Sequence, residues 1–314
     1  MTETENKSET GQGHTAPKIA APRKIAVIQM TSSRHFEKNL EFLKENITKA
    51  AEAGAVYVQT PENSLIMDFD GARIAKVVAS SAYKEGLAEL IELADKLNMI
   101  VHLGSVATEL EGAVNESNGR SKLANRSYLI RSGVSDAGDM TAPDVKIYDK
   151  IHMFDVTLPN GDVYLESKNY QAGDKSVLVD CGFAKLGMTI CYDLRFPALY
   201  RKLAQAGAEM ISVPAAFTKI TGRAHWHTLL KARAIETGSF IIASAQTGEH
   251  DSGSSASGSG GRETFGHSLV VAPWGEVILD AGVEPGCYFA ELDFDQCRLA
   301  RETVPSLTHD RAFT

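Results

Sequence analysis

Two stretches of this chain repeat the same pattern, and this repeat constrains the fold more than any other feature. AEAGAVYVQTP (51–61) aligns with AQAGAEMISVP (204–214), with Gly and Pro at identical offsets. NRSYLI (125–130) and GHSLVV (266–271) then fall in corresponding places. Matching elements in the same order indicate an internal duplication. The sequence therefore predicts an α/β fold of two similar β-α-β halves, whose sheets pack face to face with helices outside.

Hydrophobic periodicity places the elements of each half. Apolar residues recur at steps of three and four after Phe36, so we expect a first helix that ends near Gly54. Pro197 suits the first turn of a helix in the second half. The predicted strands are 24–30, 55–60, 99–104, 185–191, 209–213 and 240–245. The predicted helices are 36–54, a stretch around 87–97, 197–205 and 224–237.

Length and composition fit one large core. With 314 residues and 43% apolar content, we expect a single domain over 24–314, with two domains as the alternative, after a disordered tail at 1–23. The net charge of −8 argues against a nucleic-acid partner. No run of eighteen apolar residues offers a membrane span, and the acidic tail does not read as a signal or transit peptide.

The cysteines predict a reducing environment. None of the four forms a CxxC pair, and a chain of this size does not need disulfides for stability, so a cytoplasmic location is expected. Three of them, Cys181, Cys287 and Cys297, lie in contexts typical of buried structural thiols.

Two polar stretches interrupt the pattern. EGAVNESNGRSK (111–122) is expected to be a loop, and EHDSGSSASGSGGRE (249–263) is a Gly/Ser-rich insertion that cannot bury enough apolar area to fold alone. Either could form the rim of a site.

The stretch TICYDLRFPALY (189–200) carries the first candidate functional residue. A predicted strand ends at Cys191 and turns toward a helix that begins with Pro, so the thiol sits where backbone N–H groups are free to bind an oxyanion. Glu62 follows a related strand of the other half. Because sites in such folds collect at strand ends, we expect the carboxylate and the thiol to meet. The plain alternative is that Cys191 is a small buried hydrophobe.

A nucleophilic thiol needs a base, and the sequence offers two kinds. Histidines His225, His227 and His267 are one option, and Glu62 is the other. Transfer of a proton from a free thiol to a free glutamate costs about 5 to 6 kcal/mol. Burial would raise the pKa of the acid, and an ammonium such as Lys150 in YDKIHMFDV (148–156) would lower that of the thiol, so the three groups could exchange a proton only together.

Other candidate residues have weaker patterns. Arg195 could bind a substrate carboxylate or pair with Asp193 or another local acid. Phe217 follows a strand end, where it could line a pocket or simply pack. No metal-ligand spacing is visible, since His102 and His152 are isolated, and no metal or cofactor is expected.

Seven motifs together resemble the nitrilase superfamily of carbon–nitrogen hydrolases, within it the branch of small amidases that includes omega-amidase and deaminated-glutathione amidase. The resemblance runs from about residue 24 to the C-terminus. The motifs are PEN (61–63), YDKIHMFDV (148–156), LESK (165–168), GMTICYDLRFPALY (187–200), HWHTLLKARAIET (225–237), GHSLVVAPWGEV (266–277) and PSLTHDR (305–311).

This resemblance implies a four-layer α-β-β-α sandwich and a Glu-Lys-Cys site. It implies Cys191 as the nucleophile, Glu62 as the proton shuttle, Lys150 as the electrostatic stabiliser and Glu166 as a supporting glutamate, with the Tyr192 backbone N–H at the oxyanion. It also implies a homodimer joined through the helical layer around Cys191. Two features depart from the pattern: His227 stands where relatives usually carry Glu, and the 249–263 stretch is longer than in related chains.

The function expected is hydrolysis of a small linear amide that bears a carboxylate, with release of ammonia through a cysteine thioester. Hydrolysis of N-carbamoyl compounds is the alternative, and nitrile hydrolysis is a weaker third. From other classes, a Cys-His hydrolase and a non-catalytic, redox-responsive binding protein remain open.

Overall fold

The computed structural model describes residues 21–114, 121–132, 143–251 and 262–312. Two six-stranded sheets form its centre. In spatial order, the first sheet contains β16 (Gly286–Leu292), β1 (Arg23–Gln29), β2 (Tyr57–Gln59), β3 (Ile100–Val114), β4 (Ser121–Arg131) and β5 (Asp144–Asp149). The second sheet contains β15 (Val277–Asp280), β14 (Leu269–Val271), β11 (Phe240–Ala243), β10 (Met210–Ser212), β9 (Lys185–Met188) and β8 (Val177–Asp180).

Helices and two small hairpins complete the described fold. The α-helices are α1 (Phe36–Glu52), α2 (Gly71–Val78), α3 (Ser81–Lys96), α4 (Pro197–Gln205), α5 (Lys219–Thr237) and α6 (Asp295–Thr303). The hairpins pair β6 (Asp155–Thr157) with β7 (Val163–Leu165), and β12 (Thr247–His250) with β13 (Arg262–Phe265). Short 3₁₀ helices span Glu166–Lys168, Cys191–Arg195 and Ser306–Thr308.

Strand pairing confirms the internal duplication. In the first sheet, β1 pairs with β2 and β2 with β3 in parallel, flanked by antiparallel β16 on one side and antiparallel β4 and β5 on the other. The second sheet repeats this pattern: β9, β10 and β11 are parallel, β8 is antiparallel on one side, and β14 and β15 are antiparallel on the other. Corresponding strands of the halves therefore end in equivalent places.

Alternating side chains place the layers. In β1, Ile25 and Val27 join the apolar cluster shared with the second sheet, whereas Ala26 and Ile28 join the cluster formed with α1 and α3. The two sheets also touch through polar groups, since Gln59 Nε2 donates to the Ile242 carbonyl at 3.1 Å. Helices α4 and α5 pack on the second sheet. The expected α-β-β-α sandwich is confirmed.

Several element boundaries differ from those predicted. The third strand continues to Val114 because it pairs along its length with β4, and helix α2, which the sequence did not indicate, begins after Asp70, whose carboxylate accepts from two backbone N–H groups. Helix α5 starts at Lys219 rather than 224, capped by the Thr218 hydroxyl. The predicted strand 185–191 ends at Met188.

Some predictions fall partly on residues outside the described ranges: most of the 1–23 tail, 115–120 of the polar loop and 252–261 of the Gly/Ser-rich stretch. The division into a tail and one domain stays a prediction. No described helix has the length and hydropathy needed to cross a membrane.

A buried histidine lies between the strands of the first sheet. His102 is fully buried, with Nδ1 2.8 Å from the Tyr57 hydroxyl and Nε2 2.8 Å from the Ser127 hydroxyl. Burial lowers its pKa to about 3, because no charged partner compensates the imidazolium for lost solvation. This histidine is therefore neutral in the folded chain near neutral pH and in mild acid.

This neutrality predicts that stability falls in mild acid. As pH drops below the ordinary histidine pKa of 6.5, the unfolded chain takes up a proton that the folded chain refuses until about pH 3. His102 thus removes about 1.4 kcal/mol from the free energy of unfolding per pH unit in that window. The free energy of unfolding, measured in urea, should fall less between about pH 7 and about pH 5 in His102→Gln than in wild type. His35→Gln, at an exposed position, should keep the wild-type slope.

Candidate active site

Glu62, Lys150 and Cys191 meet at the carboxyl ends of strands from both sheets. Glu62 follows β2, Lys150 follows β5, and Cys191 lies just after β9. Lys150 Nζ is 2.9 Å from Glu62 Oε1, and the Glu62 carboxylate is close enough to the Cys191 thiol for each to shift the pKa of the other. The exposed fractions of the three residues are 3%, 1% and 8%. Lys150 and Cys191 lie 88 and 129 positions after Glu62 in the sequence, yet the three residues share one water-poor cluster.

Cys191 occupies a sharp turn and not the end of a strand. After Met188 the chain stays extended through Ile190, and Cys191 then opens the 3₁₀ helix with a φ of 48°. A left-handed conformation is costly for a residue with a Cβ, so it persists only where surrounding contacts impose it. One of these contacts is the bond from the Cys191 N–H to the Pro214 carbonyl, at 2.9 Å. The turn brings the thiol to the wall of the cavity beside Glu62.

Lys150 directs its ammonium hydrogens at two carboxylates. Besides Glu62, it contacts Glu166 Oε1 at 3.0 Å and Oε2 at 2.8 Å. Glu166 begins the 3₁₀ helix after β7, and its Oε2 also accepts from the Phe154 N–H at 2.7 Å. The fourth hydrogen bond to the Glu166 carboxylate comes from Asn125 of β4. Both oxygens of Glu166 thus contact the Lys150 ammonium, and its supporting role in catalysis stays a prediction.

Asn125 links the two glutamates. Its Nδ2 lies 3.0 Å from Glu62 Oε1 and 3.0 Å from Glu166 Oε1, and its backbone carbonyl accepts from the Lys150 N–H at 3.0 Å. The other Glu62 oxygen, Oε2, accepts from the Ala216 N–H at 2.9 Å. Each carboxylate oxygen of Glu62 and Glu166 thus accepts from a group other than the lysine. These bonds fix the Glu62 carboxylate beside the thiol.

The three groups set one another's protonation. Burial raises the pKa of the Cys191 thiol well above its ordinary value, and the Glu62 charge adds to this more than Lys150 opposes it. Burial also acts to raise the pKa of Glu62, but the Lys150 ammonium and the hydrogen bonds from Cys191 and Lys150 outweigh it, so the pKa is lowered. Burial acts to lower the pKa of Lys150, yet the two glutamates raise it well above its usual range.

The resting site is therefore a neutral thiol, an ionised Glu62 and a protonated Lys150. Both effects expected from the sequence act here, since burial acts to raise the pKa of Glu62 and Lys150 acts to lower that of Cys191, but other effects outweigh each of them. The Lys150 ammonium lies against two carboxylates and keeps Glu62 ionised, and burial together with the Glu62 charge keeps the thiol protonated.

Asp193 connects the Lys150 segment with the Cys191 turn. The carboxylate is fully buried and accepts from the Tyr148 hydroxyl at 2.6 Å, the His152 N–H at 3.0 Å and the Ile190 N–H at 2.9 Å. His152 Nδ1 is 2.7 Å away as well. Asp193 is therefore occupied, and the expected pairing with Arg195 is not formed.

Glu62, Lys150 and Cys191, which we call the triad, line a cavity of about 1710 Å³. Tyr192, Arg195 and Phe217 line it, and their role in substrate binding stays a prediction. The Arg195 guanidinium carbon lies 5.3 Å from the centre of the Phe217 ring and 5.8 Å from that of Tyr192, and its nitrogens contact His225 Nδ1 at 3.3 and 3.4 Å. Among the described residues, Arg195 forms no ion pair with a carboxylate.

A second arginine in the cavity was not singled out from the sequence. Arg262 begins β13, its guanidinium carbon lies 5.2 Å from the centre of the Tyr164 ring, and one terminal nitrogen donates to the Ala216 carbonyl. Its Nε is buried and, within the described ranges, has no hydrogen-bond partner. Arg262 also acts electrostatically on Glu62. A positive group with a free, desolvated N–H beside the triad is a natural receptor for an anionic substrate.

The candidate histidine bases lie elsewhere. No histidine is among the described residues that line the cavity with Cys191. His227 and His267 both contact Asp280, and His225 contacts Arg195. Of the isolated histidines, His152 stacks on Phe196 at 3.5 Å between ring centres. The geometry therefore offers Glu62, and not imidazole, as the base for the thiol.

Comparison with known proteins identifies the family. The carbon-nitrogen hydrolase family model matches residues 24–302. The chain is 35% identical over 290 residues to a deaminated glutathione amidase of Synechocystis sp., covering 92% of this chain and 98% of that protein. The human protein of the same name is 33% identical over 292 residues, covering 91% of this chain and 82% of that one.

A solved structure shows the same fold. Saccharomyces cerevisiae Nit3, described as a member of branch 10 of the nitrilase superfamily, superposes with a TM-score of 0.72 at 26% identity, covering 95% of this chain and 100% of that one. The match extends over both halves of the sandwich. The chain belongs to the carbon-nitrogen hydrolase family, and it is an enzyme of the nitrilase superfamily.

Proposed function

We propose that this enzyme hydrolyses the terminal amide of a small linear carboxylate, of the deaminated-glutathione or omega-amidase type, and releases ammonia. One observation carries the proposal: Glu62, Lys150 and Cys191 line one cavity together with Arg195 and Arg262, neither of which pairs with a carboxylate among the described residues. Curated relatives over more than nine-tenths of the chain carry the name deaminated glutathione amidase, which supports the same substrate class.

Acylation begins from the neutral thiol. As Cys191 Sγ attacks the amide carbon, its proton passes to Glu62, so thiolate never accumulates free in the site. The C–O π electrons move onto oxygen, and the oxyanion is stabilised by Lys150 and the Tyr192 backbone N–H. Glu62 then gives its proton to the amide nitrogen, the C–N bond breaks, and ammonia leaves a thioester on Cys191.

Proton transfer also changes what Lys150 can do. In the resting site its hydrogens are directed at Glu62 and Glu166. Once Glu62 is a neutral acid, its hold on the ammonium weakens, because a charge-assisted hydrogen bond becomes an ordinary one. One ammonium hydrogen can then turn to the oxyanion that forms in the same step. Glu166, still ionised, keeps the ammonium in place.

Deacylation uses the same groups. Glu62 takes a proton from water as the water oxygen attacks the thioester carbon, and Lys150 again faces the oxyanion. Collapse breaks the C–S bond, and the proton on Glu62 returns to sulfur. The acid product leaves, and the resting protonation states are restored.

Arg195 and Arg262 would bind the carboxylate of the substrate. Both guanidinium groups lie against aromatic rings of the cavity, which keeps them extended without neutralising them. Charged hydrogen bonds to a substrate carboxylate in such a partly desolvated place select strongly against amides that lack it. N-carbamoyl acids also carry a carboxylate, so they remain the competing substrate class.

A substrate panel scored for ammonia tests this proposal. We expect turnover of deaminated glutathione or α-ketoglutaramate, and little turnover of N-carbamoyl amino acids or nitriles. Arg195→Gln and Arg262→Gln should each raise KM for the anionic amide by about tenfold or more, while a neutral aliphatic amide is affected far less.

The arginine variants have a matched control in Arg298→Gln, on the exposed face of α6, which should behave as wild type. Turnover of carbamoyl compounds with both amides untouched would show the substrate assignment to be wrong. Equal losses on anionic and neutral amides would show that the arginines only support the fold of the site.

We propose further that the enzyme is a homodimer joined through the helical layer near the Cys191 turn, in the cytoplasm. All four cysteines are unpaired thiols, which supports a reducing compartment. Sedimentation of the purified chain measures the assembly directly.

A further inference from the structure

A second cluster of ligand-type side chains lies away from the triad. It contains His227 of α5, His267 from the turn between β13 and β14, and Asp280 at the end of β15, and we call it the His-His-Asp cluster. His227 Nε2 is 3.0 Å from Asp280 Oδ2, and His267 Nδ1 is 2.8 Å from Asp280 Oδ1. One candidate ligand atom from each residue lies within 4.8 Å of the other two.

The backbone holds two of these residues in place. His267 has a φ of 56°, and this left-handed turn is fixed by its N–H bond to the Gly282 carbonyl at 2.6 Å and by the Trp226 indole N–H, 2.7 Å from its own carbonyl. Asp280 Oδ1 also accepts from the Gly282 N–H at 2.9 Å. His227 projects from a 19-residue helix. The three ligand groups are therefore presented by regular or tightly bonded backbone.

The spacing suits a tetrahedral ion after a small shift. Zinc–nitrogen and zinc–oxygen bonds of about 2.0 to 2.2 Å place tetrahedral ligand atoms about 3.4 Å apart, so the present contacts need to open by about half an ångström. Side-chain exposures of 39%, 27% and 35% leave room for water as the fourth ligand. Each ring can carry its proton on the other nitrogen, Nδ1 of His227 or Nε2 of His267.

We propose that the His-His-Asp cluster binds one divalent transition-metal ion of the zinc class. The ion would join helix α5 to the turn before β14 and to the end of β15, which are already linked to each other by backbone hydrogen bonds. Its place is structural and not catalytic, since none of the three residues lines the cavity of the triad.

The ion would brace one wall of the active-site cavity. Trp226, next to His227, packs against Phe217 of the cavity at 4.8 Å between ring centres. Phe265 stacks on His267 at 4.6 Å and lies against Gly222 of α5, where a Cβ would come within 2.3 Å of it. Metal binding should therefore stabilise the α5–β13 unit against unfolding, by mass action on the folded state.

Binding is tested with Zn²⁺ and Co²⁺ on the full chain in a Cys191→Ala background, which removes the thiol of the catalytic cavity as a competing ligand. Chelator-stripped protein should take up about one Zn²⁺ per chain, measured by calorimetry and elemental analysis, and its melting temperature should rise by several degrees. Co²⁺ should give the visible absorption of a site with low coordination number.

Two variants keep the local structure while removing imidazole. His227→Gln can still donate to Asp280, and His267→Asn can do the same while tolerating the left-handed backbone. Each should abolish the Co²⁺ spectrum and the thermal shift. The exposed His309→Gln is the matched control and should bind as the parent does.

Absence of Zn²⁺ uptake by the parent would overturn the proposal, and so would uptake that persists in both imidazole variants, because the ion would then be held elsewhere. Loss of binding in both, with melting temperatures in chelator equal to that of the parent, would support it.

Discussion

A Lys150→Ala variant is expected to lose amide hydrolysis by about a thousandfold or more. Lys150 contacts both Glu62 and Glu166, and in the proposed mechanism it stabilises the oxyanion. Its removal leaves two carboxylates near each other with less compensation, which should raise the pKa of Glu62 and leave a smaller ionised fraction to accept the thiol proton. Steady-state ammonia release on the best substrate of the panel measures the loss.

Folding defects must be separated from this catalytic loss. Lys150→Ala buries excess negative charge, so its melting temperature should fall. The double variant Lys150→Ala/Glu166→Gln removes one negative charge as well, and we expect it to recover much of the stability and none of the activity. Lys146→Ala, exposed on β5 just before Lys150, should match wild type.

The lysine variant also separates the two hydrolase mechanisms. A Cys-His enzyme would lose little when Lys150 is removed and much when a histidine is removed. Near wild-type turnover by a well-folded Lys150→Ala protein would therefore contradict the Glu-Lys-Cys mechanism. Full activity of His225→Ala, His227→Ala and His267→Ala is expected alongside.

Sequence reasoning was most successful where the information is local. The repeated joint at 51–61 and 204–214 predicted the duplication, and the pairing of both sheets confirmed it. Strand ends and motifs predicted that Glu62, Lys150 and Cys191 would be brought together. Each of these inferences depends on a run of neighbouring residues, whose hydrophobic pattern or motif is visible in one dimension.

Sequence reasoning failed where the partner is distant and the side chain ordinary. Asn125 sits within a strand pattern, and nothing in NRSYLI shows that its amide spans two glutamates. Asp193 was expected beside Arg195, its near neighbour, but its bonds go to Tyr148 and His152, more than forty residues away. Arg262 lies in the Gly/Ser-rich stretch 249–263, in which the sequence predicted no helix or strand.

The pKa shifts of Glu62, Lys150 and Cys191 could not be predicted from the sequence either. The direction of these shifts depends on how many carboxylates contact the Lys150 ammonium. Glu166 is the second of them, with Oε2 2.8 Å from Nζ. A one-dimensional motif names the groups but not their contacts. The same limit hid the His-His-Asp cluster, whose members are separated by 40 and 13 positions.

Glu62→Gln is expected to lower ammonia release by about a thousandfold or more, since glutamine can neither accept the thiol proton nor activate water. The substitution is nearly isosteric. Its amide oxygen can still accept from Lys150 and Asn125, although the bond from the Ala216 N–H to the second oxygen is lost. We therefore expect a folded protein, checked by melting temperature, with Glu45→Gln on the exposed face of α1 as the control for the chemical change itself.

The same variant should make the thiol more acidic while it destroys catalysis. Burial and the Glu62 charge raise the pKa of Cys191, and Lys150 lowers it, so removal of the carboxylate leaves burial as the main effect that opposes the lysine. Ultraviolet absorbance of the thiolate, taken as the difference from matched Cys191→Ser proteins, should show ionisation at lower pH in Glu62→Gln than in wild type. A thiol activated by ionisation alone would then react faster with substrate, whereas base-coupled attack predicts that it reacts more slowly. Faster turnover with a more acidic thiol would exclude Glu62 as the base, and an unchanged ionisation would show that the carboxylate and the sulfur do not interact in solution.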